Sequence, residues 1–166
     1  AADYLARIHK LKAARPDILI SSDFIIGFPN ETDDDFMATM NLIAEVDFDH
    51  SFSFIFSKRP GTPAAELPDS VSEETKKARL VILKDHIKKN TLRKTRDMIG
   101  TTQRILVEKV SDRQEGYLVG SAENLRLVFF PADASLVGRF VDVVITEEAN
   151  VNAVRAGAPI WVEDVT

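Results

Sequence analysis

Two polar segments, each directly after an apolar run, are the parts of the sequence best suited to chemistry. Residues 27–32 (GFPNET) follow the first run and residues 57–63 (SKRPGTP) follow the second. Glycine at the end of a strand allows a ligand to approach the backbone, and proline stiffens the turn beside it. Ligands of α/β folds bind beyond the carboxyl ends of the strands. The pattern predicts a ligand site on one rim of a sheet, with ordinary strand-ending turns as the alternative.

A third segment, residues 76–96, is suited to binding. It contains nine Lys and Arg residues and one acidic residue, Asp85, which gives it a net charge of +8. Residues 1–75 carry 6 basic and 14 acidic residues, and residues 97–166 carry 6 and 11. A basic stretch between two acidic regions favours contacts with the phosphates of a nucleic acid. A solvated helix face without a partner is the alternative.

The sequence contains no cysteine. This excludes a disulfide framework, a cysteine-ligated zinc site and any iron–sulfur cluster held by thiolates of this chain. No apolar run approaches the length of a membrane span, and no signal peptide opens the sequence. We therefore expect a cytoplasmic protein without a membrane partner and without a metal ligand of its own.

The two polar segments must be positioned by the alternating elements around them. Apolar spacing predicts a helix before Pro16, a strand at 18–26, a helix starting at residue 31 or 32, and a strand at about 50–56. Helices and strands in alternation are typical of an α/β fold. Two strands are too few for a parallel sheet or a closed barrel. We expect this half to belong to something larger.

The second half has a different period. A long helix is predicted from about residue 73 to residue 97, and from Gln103 onward the apolar residues alternate with period two. Five short strands follow, separated by turns at 112–116, 121–124, 131–138 and 147–157. Five strands in this length predict a small, closed or partly open all-β barrel.

At this point three segments resemble a known family. Residues 21–32 (SSDFIIGFPNET) resemble the SDFIVGFPGET segment of radical-SAM methylthiotransferases. Residues 52–65 (FSFIFSKRPGTPAA) resemble their FSFIYSxRPGTPA segment, and residues 100–108 (GTTQRILVE) resemble the first strand of their TRAM domain. The matches occur in the same order over nearly the whole chain.

The resemblance implies a domain organisation. Residues 1–70 are expected to form the last part of a radical-SAM partial TIM barrel. Residues 71–98 are expected to form a connecting basic helix, and residues 99–166 a TRAM domain, which is an OB-like, RNA-binding β-barrel.

The resemblance also implies an activity, because it is strongest to the tRNA-modifying branch. Such enzymes transfer a methylthio group to C2 of dimethylallyl-adenosine next to the tRNA anticodon, using S-adenosylmethionine and two 4Fe–4S clusters. Since this chain has no cysteine, the cluster ligands are expected in upstream domains of the same polypeptide. The expected partners are tRNA and those domains. The full enzyme is expected to be monomeric, and this fragment inactive, without catalytic residues of its own.

Site residues follow from the same motifs. Those expected to hold S-adenosylmethionine are Asp23, Gly27, Glu31, Phe54 and Ser57. Those expected to contact RNA are Arg59, Lys84, Lys88, Arg93, Arg96 and Arg126.

Three departures from the family pattern bear on the site. Asn30 stands where the family has glycine, and asparagine tolerates the left-handed backbone that such a turn requires. Leu125 and Phe129 replace polar residues of the ENNRVVNF-like string of the β-domain. Phe129 is either a core residue or a platform on which a base stacks.

Two other functions remain as alternatives. A stand-alone RNA-binding module would need only the basic helix and the β-barrel, and the orphaned strands of the first half argue against it. An enzyme that modifies an aspartate of a ribosomal protein is disfavoured by Arg59, because that branch carries acidic residues there and a guanidinium suits a phosphate.

The absence of cysteine gives the first prediction. Anaerobic incubation of this chain with iron and sulfide should leave no 4Fe–4S cluster bound, because such clusters are held by thiolates. The measurement is the visible absorbance of the iron–sulfur chromophore after desalting. A stoichiometric chromophore that survives desalting would contradict the placement of the ligands upstream.

Overall fold

Two separate hydrophobic cores organise the chain. The computed structural model describes residues 1–164. The chain divides into a first unit, Ala1–Asn90, and a second unit that begins at Thr91. The longest helix, α3 (Glu73–Asp97), contributes residues to both units. The three-part division at residues 70 and 98 concerns domains of a longer protein and remains a prediction.

The first unit is an α/β arrangement. Its elements are α1 (Ala2–Ala14), β1 (Asp23–Ile26), α2 (Asp33–Val46), β2 (Phe52–Ile55) and the first part of α3. The strands β1 and β2 pair directly in parallel, with Asp23 opposite Phe52 and Ile26 opposite Ile55. A two-stranded parallel pair therefore does form, contrary to the expectation that two strands are too few. Its core includes Phe24, Ile26, Ile43, Phe48 and Leu83.

The start of α2 explains why the chain turns where it does after β1. Asn30 has φ 65°, so the left-handed conformation expected at this position is confirmed. Thr32 caps the helix: its Oγ1 accepts from the backbone N–H of Asp35 at 3.1 Å, and Asp35 Oδ2 accepts from the N–H of Thr32 at 2.9 Å. These reciprocal bonds satisfy two N–H groups that the helix leaves without a partner.

The second unit contains a closed β-barrel. Its strands are β3 (Thr102–Val110), β4 (Tyr117–Ala122), β5 (Leu127–Pro131), β6 (Phe140–Asn150), β7 (Ala153–Ala156) and β8 (Trp161–Val162). The order is β3-β4-β5-β7-β6, and β6 pairs again with β3 to close the ring. The β5–β7 pair is parallel and the other pairs are antiparallel. The fold of the chain is thus α/β followed by a small, OB-like barrel, as predicted.

Two details of the barrel differ from the prediction. A strand, β7, lies inside the segment 147–157 that was predicted to be a turn, and β6 continues to Asn150. Ala153, Val154 and Ala156 of β7 are all buried, so this strand shows no alternation that the sequence could reveal. The turn predicted at 121–124 extends past its predicted end, because Leu125 has φ 64° and is 82% exposed, and β5 begins at Leu127.

Closure of the barrel generates the second prediction. A Cβ on Gly120 would contact the carbonyl oxygen of Leu106 and lie 2.5 Å from Ile105 Cγ2. Gly120→Ala should therefore lower the free energy of unfolding by about 1–3 kcal/mol, as expected for overpacking. Urea unfolding followed by circular dichroism measures this change.

Gly157→Ala is the matched control, because a Cβ there meets no atom within 4 Å. It should leave stability close to that of the unmodified chain. Equal stability of the two variants would show that β3 and β4 do not approach each other as closely as described.

Candidate functional site

The two strands of the first unit have one covered face and one open face. Phe24 and Ile26 of β1 point into the core, whereas Ile25 is 62% exposed. On β2, Phe52 and Phe54 are 60% and 55% exposed. Phe54 lies opposite Ile25 in the parallel register. Exposed apolar side chains in contact with one another mark a binding groove or an interaction surface. We call this surface, formed by Asp23, Ile25, Phe52 and Phe54, the open face.

Three of the five predicted cofactor residues lie on or beside the open face. Asp23 and Phe54 belong to it, and Ser57 is exposed just after the end of β2. Asp23 is the first residue of β1, so it lies about 10 Å from the carboxyl end of that strand, where ligands of such sheets bind. Phe54 and Ser57 are therefore better placed for a ligand than Asp23.

Gly27 occupies a different environment. Its φ is +67°, and a Cβ there would lie 2.6 Å from Cγ of Lys76. Its N–H donates to Glu31 Oε1 at 3.2 Å. The space that a side chain would fill is thus taken by the aliphatic part of Lys76. Glycine is required here for the packing of the Lys76 side chain, and its approach to a ligand stays a prediction.

Glu31 is also held within the protein. Its Oε1 accepts from Arg79 Nη1 at 2.8 Å, and its backbone carbonyl accepts from the same nitrogen at 3.0 Å. Arg79 Nη2 donates to Asp33 Oδ1 at 2.7 Å. The side chains of Glu31 and Arg79 are only 9% and 7% exposed. These contacts show that Glu31 supports the turn, and its direct contact with a cofactor stays a prediction.

The charges around Arg79 do not contribute equally to stability. The hydrogen bond to Asp33 is the largest cause of the raised pKa of Arg79, followed by that to Glu31, against the opposing effect of burial. The side chain of Asp33 is 94% exposed, so water screens its attraction. Removal of Glu31 would leave a buried charge with less compensation, which is the costly case.

Lys76 is a second buried cation close to Gly27. Its Nζ lies 2.5 Å from Asp69 Oδ2 and 3.3 Å from Glu73 Oε1. The hydrogen bond to Asp69 is the main cause of the raised pKa of Lys76, and the same bond lowers the pKa of Asp69. A lowered carboxyl pKa stabilises the fold at neutral pH, and this contribution is lost as the pH falls through the lowered value.

Asn30, in the turn after β1, forms hydrogen bonds to the loop that precedes α3. Its Nδ2 donates to the carbonyl of Pro68 at 2.8 Å, and its Oδ1 accepts from Ser70 Oγ at 3.0 Å. The polar cluster, which we define as Gly27, Glu31, Asp69, Lys76 and Arg79, thus lies beside a loop that is fixed on both sides.

Fewer basic side chains of α3 are exposed and unpaired than the composition of residues 76–96 suggests. Lys76 and Arg79 are buried in the polar cluster. Lys89 pairs with Asp85 at 2.8 Å. Lys84 and Lys88 are both exposed, as predicted for residues that meet phosphates, and their spacing of four places them on one face of the helix.

The remaining predicted RNA contacts differ in availability. Arg59 is exposed in the segment after β2. Arg93 is exposed but interacts with other residues of the chain. Arg96 is exposed, and its Nε donates to Glu148 Oε2 at 2.5 Å, so a phosphate would compete with that carboxylate.

Arg126 is not on the surface. It is 3% exposed, its Nε donates to Thr95 Oγ1 at 3.2 Å, and its Nη2 donates to the carbonyl of Thr91 at 3.1 Å. The guanidinium joins the β4–β5 turn to α3 in this structure, and the contact of Arg126 with RNA stays a prediction. Thr91 and Thr95 are buried in the structure; in the sequence, their spacing of four residues on a predicted helix is a signal that could have indicated a shared partner.

Within residues 1–164, the chain has neither a cluster of metal-ligating side chains nor a membrane-spanning helix. No three or more His, Asp or Glu residues of this part come together to hold a metal ion. No helix within it is long and apolar enough to cross a membrane.

Comparison with known proteins places these features in context. Residues 96–156 match the TRAM domain family. The tRNA-2-methylthio-N(6)-dimethylallyladenosine synthase of Acinetobacter baumannii (strain AYE) is 52% identical over 151 residues, which are 91% of this chain and 31% of that protein. The proteins of the same name from Psychrobacter cryohalolentis and Stenotrophomonas maltophilia (strain K279a) are each 54% identical over 156 residues. These matches cover 92% and 94% of this chain, but 31% and 33% of those proteins.

The buried pair gives the third prediction. Glu31→Gln should lower the free energy of unfolding of the first unit by about 2–3 kcal/mol, because Arg79 stays buried without its buried counter-charge. Asp33→Asn removes a carboxylate from the same guanidinium but should cost less than about 1 kcal/mol, because the Asp33 carboxylate is exposed and water screens its attraction. Urea unfolding of both variants measures the difference, and a larger loss for Asp33→Asn would contradict it.

Proposed function

We propose that this chain is part of a tRNA-modifying enzyme of the radical-SAM methylthiotransferase family, and that it corresponds to the C-terminal part of that enzyme. That enzyme transfers a methylthio group to C2 of dimethylallyl-adenosine next to the anticodon. The observation that carries the proposal is an identity of 52–54% over more than nine-tenths of this chain with enzymes of that name. The chain spans about a third of their length, so the chemistry requires the rest of the polypeptide.

The open face supports this assignment. An apolar surface with exposed Phe52 and Phe54 is what a barrel segment presents toward neighbouring strands and toward its ligand. In this family S-adenosylmethionine supplies the radical that activates the C–H bond of the base. Phe54 offers an apolar surface that suits an adenine ring, and the Ser57 hydroxyl can exchange hydrogen bonds with polar groups of the ligand. Asp23 is a more distant contributor on the same face.

The two 4Fe–4S clusters of the proposed enzyme cannot be held by this chain, which has no cysteine. Their ligands are assigned to the upstream domains. The chain would then supply one wall of the cofactor site and the surface for tRNA. A monomeric, cytoplasmic enzyme is part of the same proposal.

The basic face of α3 supports tRNA as the substrate. Lys84 and Lys88 are exposed one helical turn apart, and Arg59 follows the end of β2. Lysine and arginine side chains with this exposure supply affinity for phosphates that does not depend on base sequence. A stand-alone RNA-binding module would use the same lysines, but it would have no use for an open apolar face. The ribosomal-protein alternative does not account for Arg59.

The fourth prediction tests the tRNA surface. In the full-length enzyme, Lys84→Gln combined with Lys88→Gln should weaken tRNA binding. It should also flatten the slope of log affinity against log salt by about one to two units, because two phosphate contacts are lost. S-adenosylmethionine cleavage without tRNA should be unchanged, since neither lysine lies on the open face. Filter binding over a salt series and assay of the cleavage product measure the two effects.

Arg7→Gln combined with Lys10→Gln is the matched control, because it removes the same charge from two exposed residues of α1. It should leave the salt slope unchanged. If both double variants flatten the slope equally, the effect is one of net charge, and the proposed surface on α3 is wrong.

A further inference from the structure

A series of contacts leads from α3 to the carboxyl end of β1. Arg79 Nη1 donates both to the backbone carbonyl of Glu31 and to Glu31 Oε1. The same carboxylate oxygen accepts from the backbone N–H of Gly27 at 3.2 Å. One guanidinium therefore holds both ends of the turn 27–31, because it acts on the residue that closes the turn and on the carboxylate that receives its first N–H.

This turn determines where Phe28 lies. Gly27 has φ +67°, so the chain changes direction directly after β1. The backbone N–H of Glu31 donates to the carbonyl of Phe28 at 2.9 Å, which closes the turn around Phe28. The Phe28 side chain is 45% exposed. Its position is therefore set by the backbone of the turn rather than by burial in the core.

Phe28 in turn contacts the residue that follows β2. Its ring meets the ring of Phe56 edge to face, with 5.2 Å between the ring centroids. The backbone N–H of Phe56 donates to the carbonyl of Ile26 at 2.8 Å, so the two strands are still hydrogen-bonded at this point. Ser57 is the next residue of the chain. The aromatic pair thus joins the carboxyl ends of β1 and β2, the rim at which ligands of such sheets bind.

The guanidinium of Arg79 is suited to this role by its shape. Its Nη2 donates to Asp33 Oδ1 at 2.7 Å, and its Cζ lies 5.6 Å from the centre of the Phe36 ring. A planar fork can hold acceptors on the turn and on α2 at the same time, whereas the ammonium of a lysine is a compact point charge. The Arg79 side chain is 7% exposed, so a lost bond leaves a buried polar group without compensation.

We propose that Arg79 is a positioning residue of the cofactor site. It acts through Glu31 on the backbone of Gly27. This contact holds the ring of Phe28 against Phe56 and so fixes the rim that S-adenosylmethionine meets. The inference rests on the proposed function, since it specifies how one wall of that site is kept in place. The competing account is that Arg79 serves only the stability of the first unit.

The first measurement tests the contact itself in the 166-residue chain. Arg79→Lys keeps the charge and loses the fork. The backbone N–H groups of Gly27 and Glu31 should then exchange with solvent about tenfold faster, because their hydrogen bonds depend on the turn. The N–H groups of α2 from Phe36 to Val46 should exchange as in the unmodified chain. Equal acceleration along α2 would mean that the first unit opens as a whole, and the local role of Arg79 would be wrong.

The second measurement tests the consequence in the full-length enzyme with its clusters reconstituted. Equilibrium dialysis with S-adenosylmethionine measures affinity without turnover. Arg79→Lys should raise the dissociation constant about tenfold, and KM should rise with it while kcat stays within about twofold, because a loss of uniform binding affects KM alone. The Glu31 carboxylate remains in this variant, so the loss does not come from removing that group.

Asp33→Asn is the matched control. It takes a carboxylate away from the same guanidinium but keeps the oxygen that accepts from Arg79 Nη2, and the Asp33 side chain is 94% exposed. It should leave the exchange rates of the turn and the dissociation constant of S-adenosylmethionine unchanged.

A double-mutant cycle tests the route through Phe28. Phe28→Leu removes the ring that meets Phe56 and leaves an apolar side chain at an exposed position. It should weaken binding of S-adenosylmethionine about as much as Arg79→Lys does. The two changes together should weaken binding little more than either alone, because residues in one contact network are not additive. A combined loss of about a hundredfold, the product of two independent effects, would overturn the proposed route.

The outcomes distinguish this inference from the proposed function. Faster exchange confined to the turn, together with the loss of affinity, supports the inference. If the enzyme binds S-adenosylmethionine and Arg79→Lys binds it as tightly as Asp33→Asn does, Arg79 serves stability alone; the inference then fails and the proposed function stands. If the reconstituted enzyme binds no S-adenosylmethionine, both fail.

Discussion

The burial of two cations at the start of α3 is the constraint on which the first unit depends. Lys76 and Arg79 are 5% and 6% exposed, and each reaches carboxylates from other segments of the chain. Buried charges are tolerated only when they are paired and hydrogen-bonded. The turn after β1, the loop before α3 and the helix itself must therefore adopt mutually consistent positions. The left-handed Gly27 is part of the same arrangement, since Lys76 passes over it.

This arrangement explains how one segment can be both basic in composition and modest in surface charge. Lys76 and Arg79, two of the three cations at the beginning of α3, are buried inside the first unit, whereas Lys77 is exposed. Toward its other end, Thr91 and Thr95 receive the buried guanidinium of Arg126, and Arg96 pairs with Glu148. Lys84 and Lys88 lie between these two regions and are open to a polyanion. Both ends of α3 thus contribute buried contacts to the fold, and its middle presents a candidate binding surface.

In the barrel of the second unit, the residues that stabilise the fold and the residues that can contact a ligand lie on opposite faces of the strands. Closure through the β3–β6 pairing leaves the interior entirely to packing, with residues such as Val128, Phe130 and Val141 fully buried. The side chains that alternate with them face outward and are free to vary. Phe129 and Arg155 are neighbours on this outer surface because β5 and β7 are parallel and in register. Such a pairing brings together residues that lie 26 positions apart in the sequence.

Periodicity and turn chemistry were sufficient to predict the order of helices and strands in the first unit and most strands of the second. Those properties act locally. The left-handed backbone at Asn30 and the helix cap formed by Thr32 depend on residues that lie within a few positions in the sequence. The motifs around residues 21–32 and 52–65 were likewise sufficient to indicate the family. Partners distant in the chain were not predictable: Glu31 with Arg79, Lys76 over Gly27, and Arg126 with Thr91 and Thr95. A carboxylate or guanidinium has the same local signature whether it faces a ligand or a buried counter-charge. Only the tertiary structure decides between the two, because the cost of desolvation depends on what packs around the group.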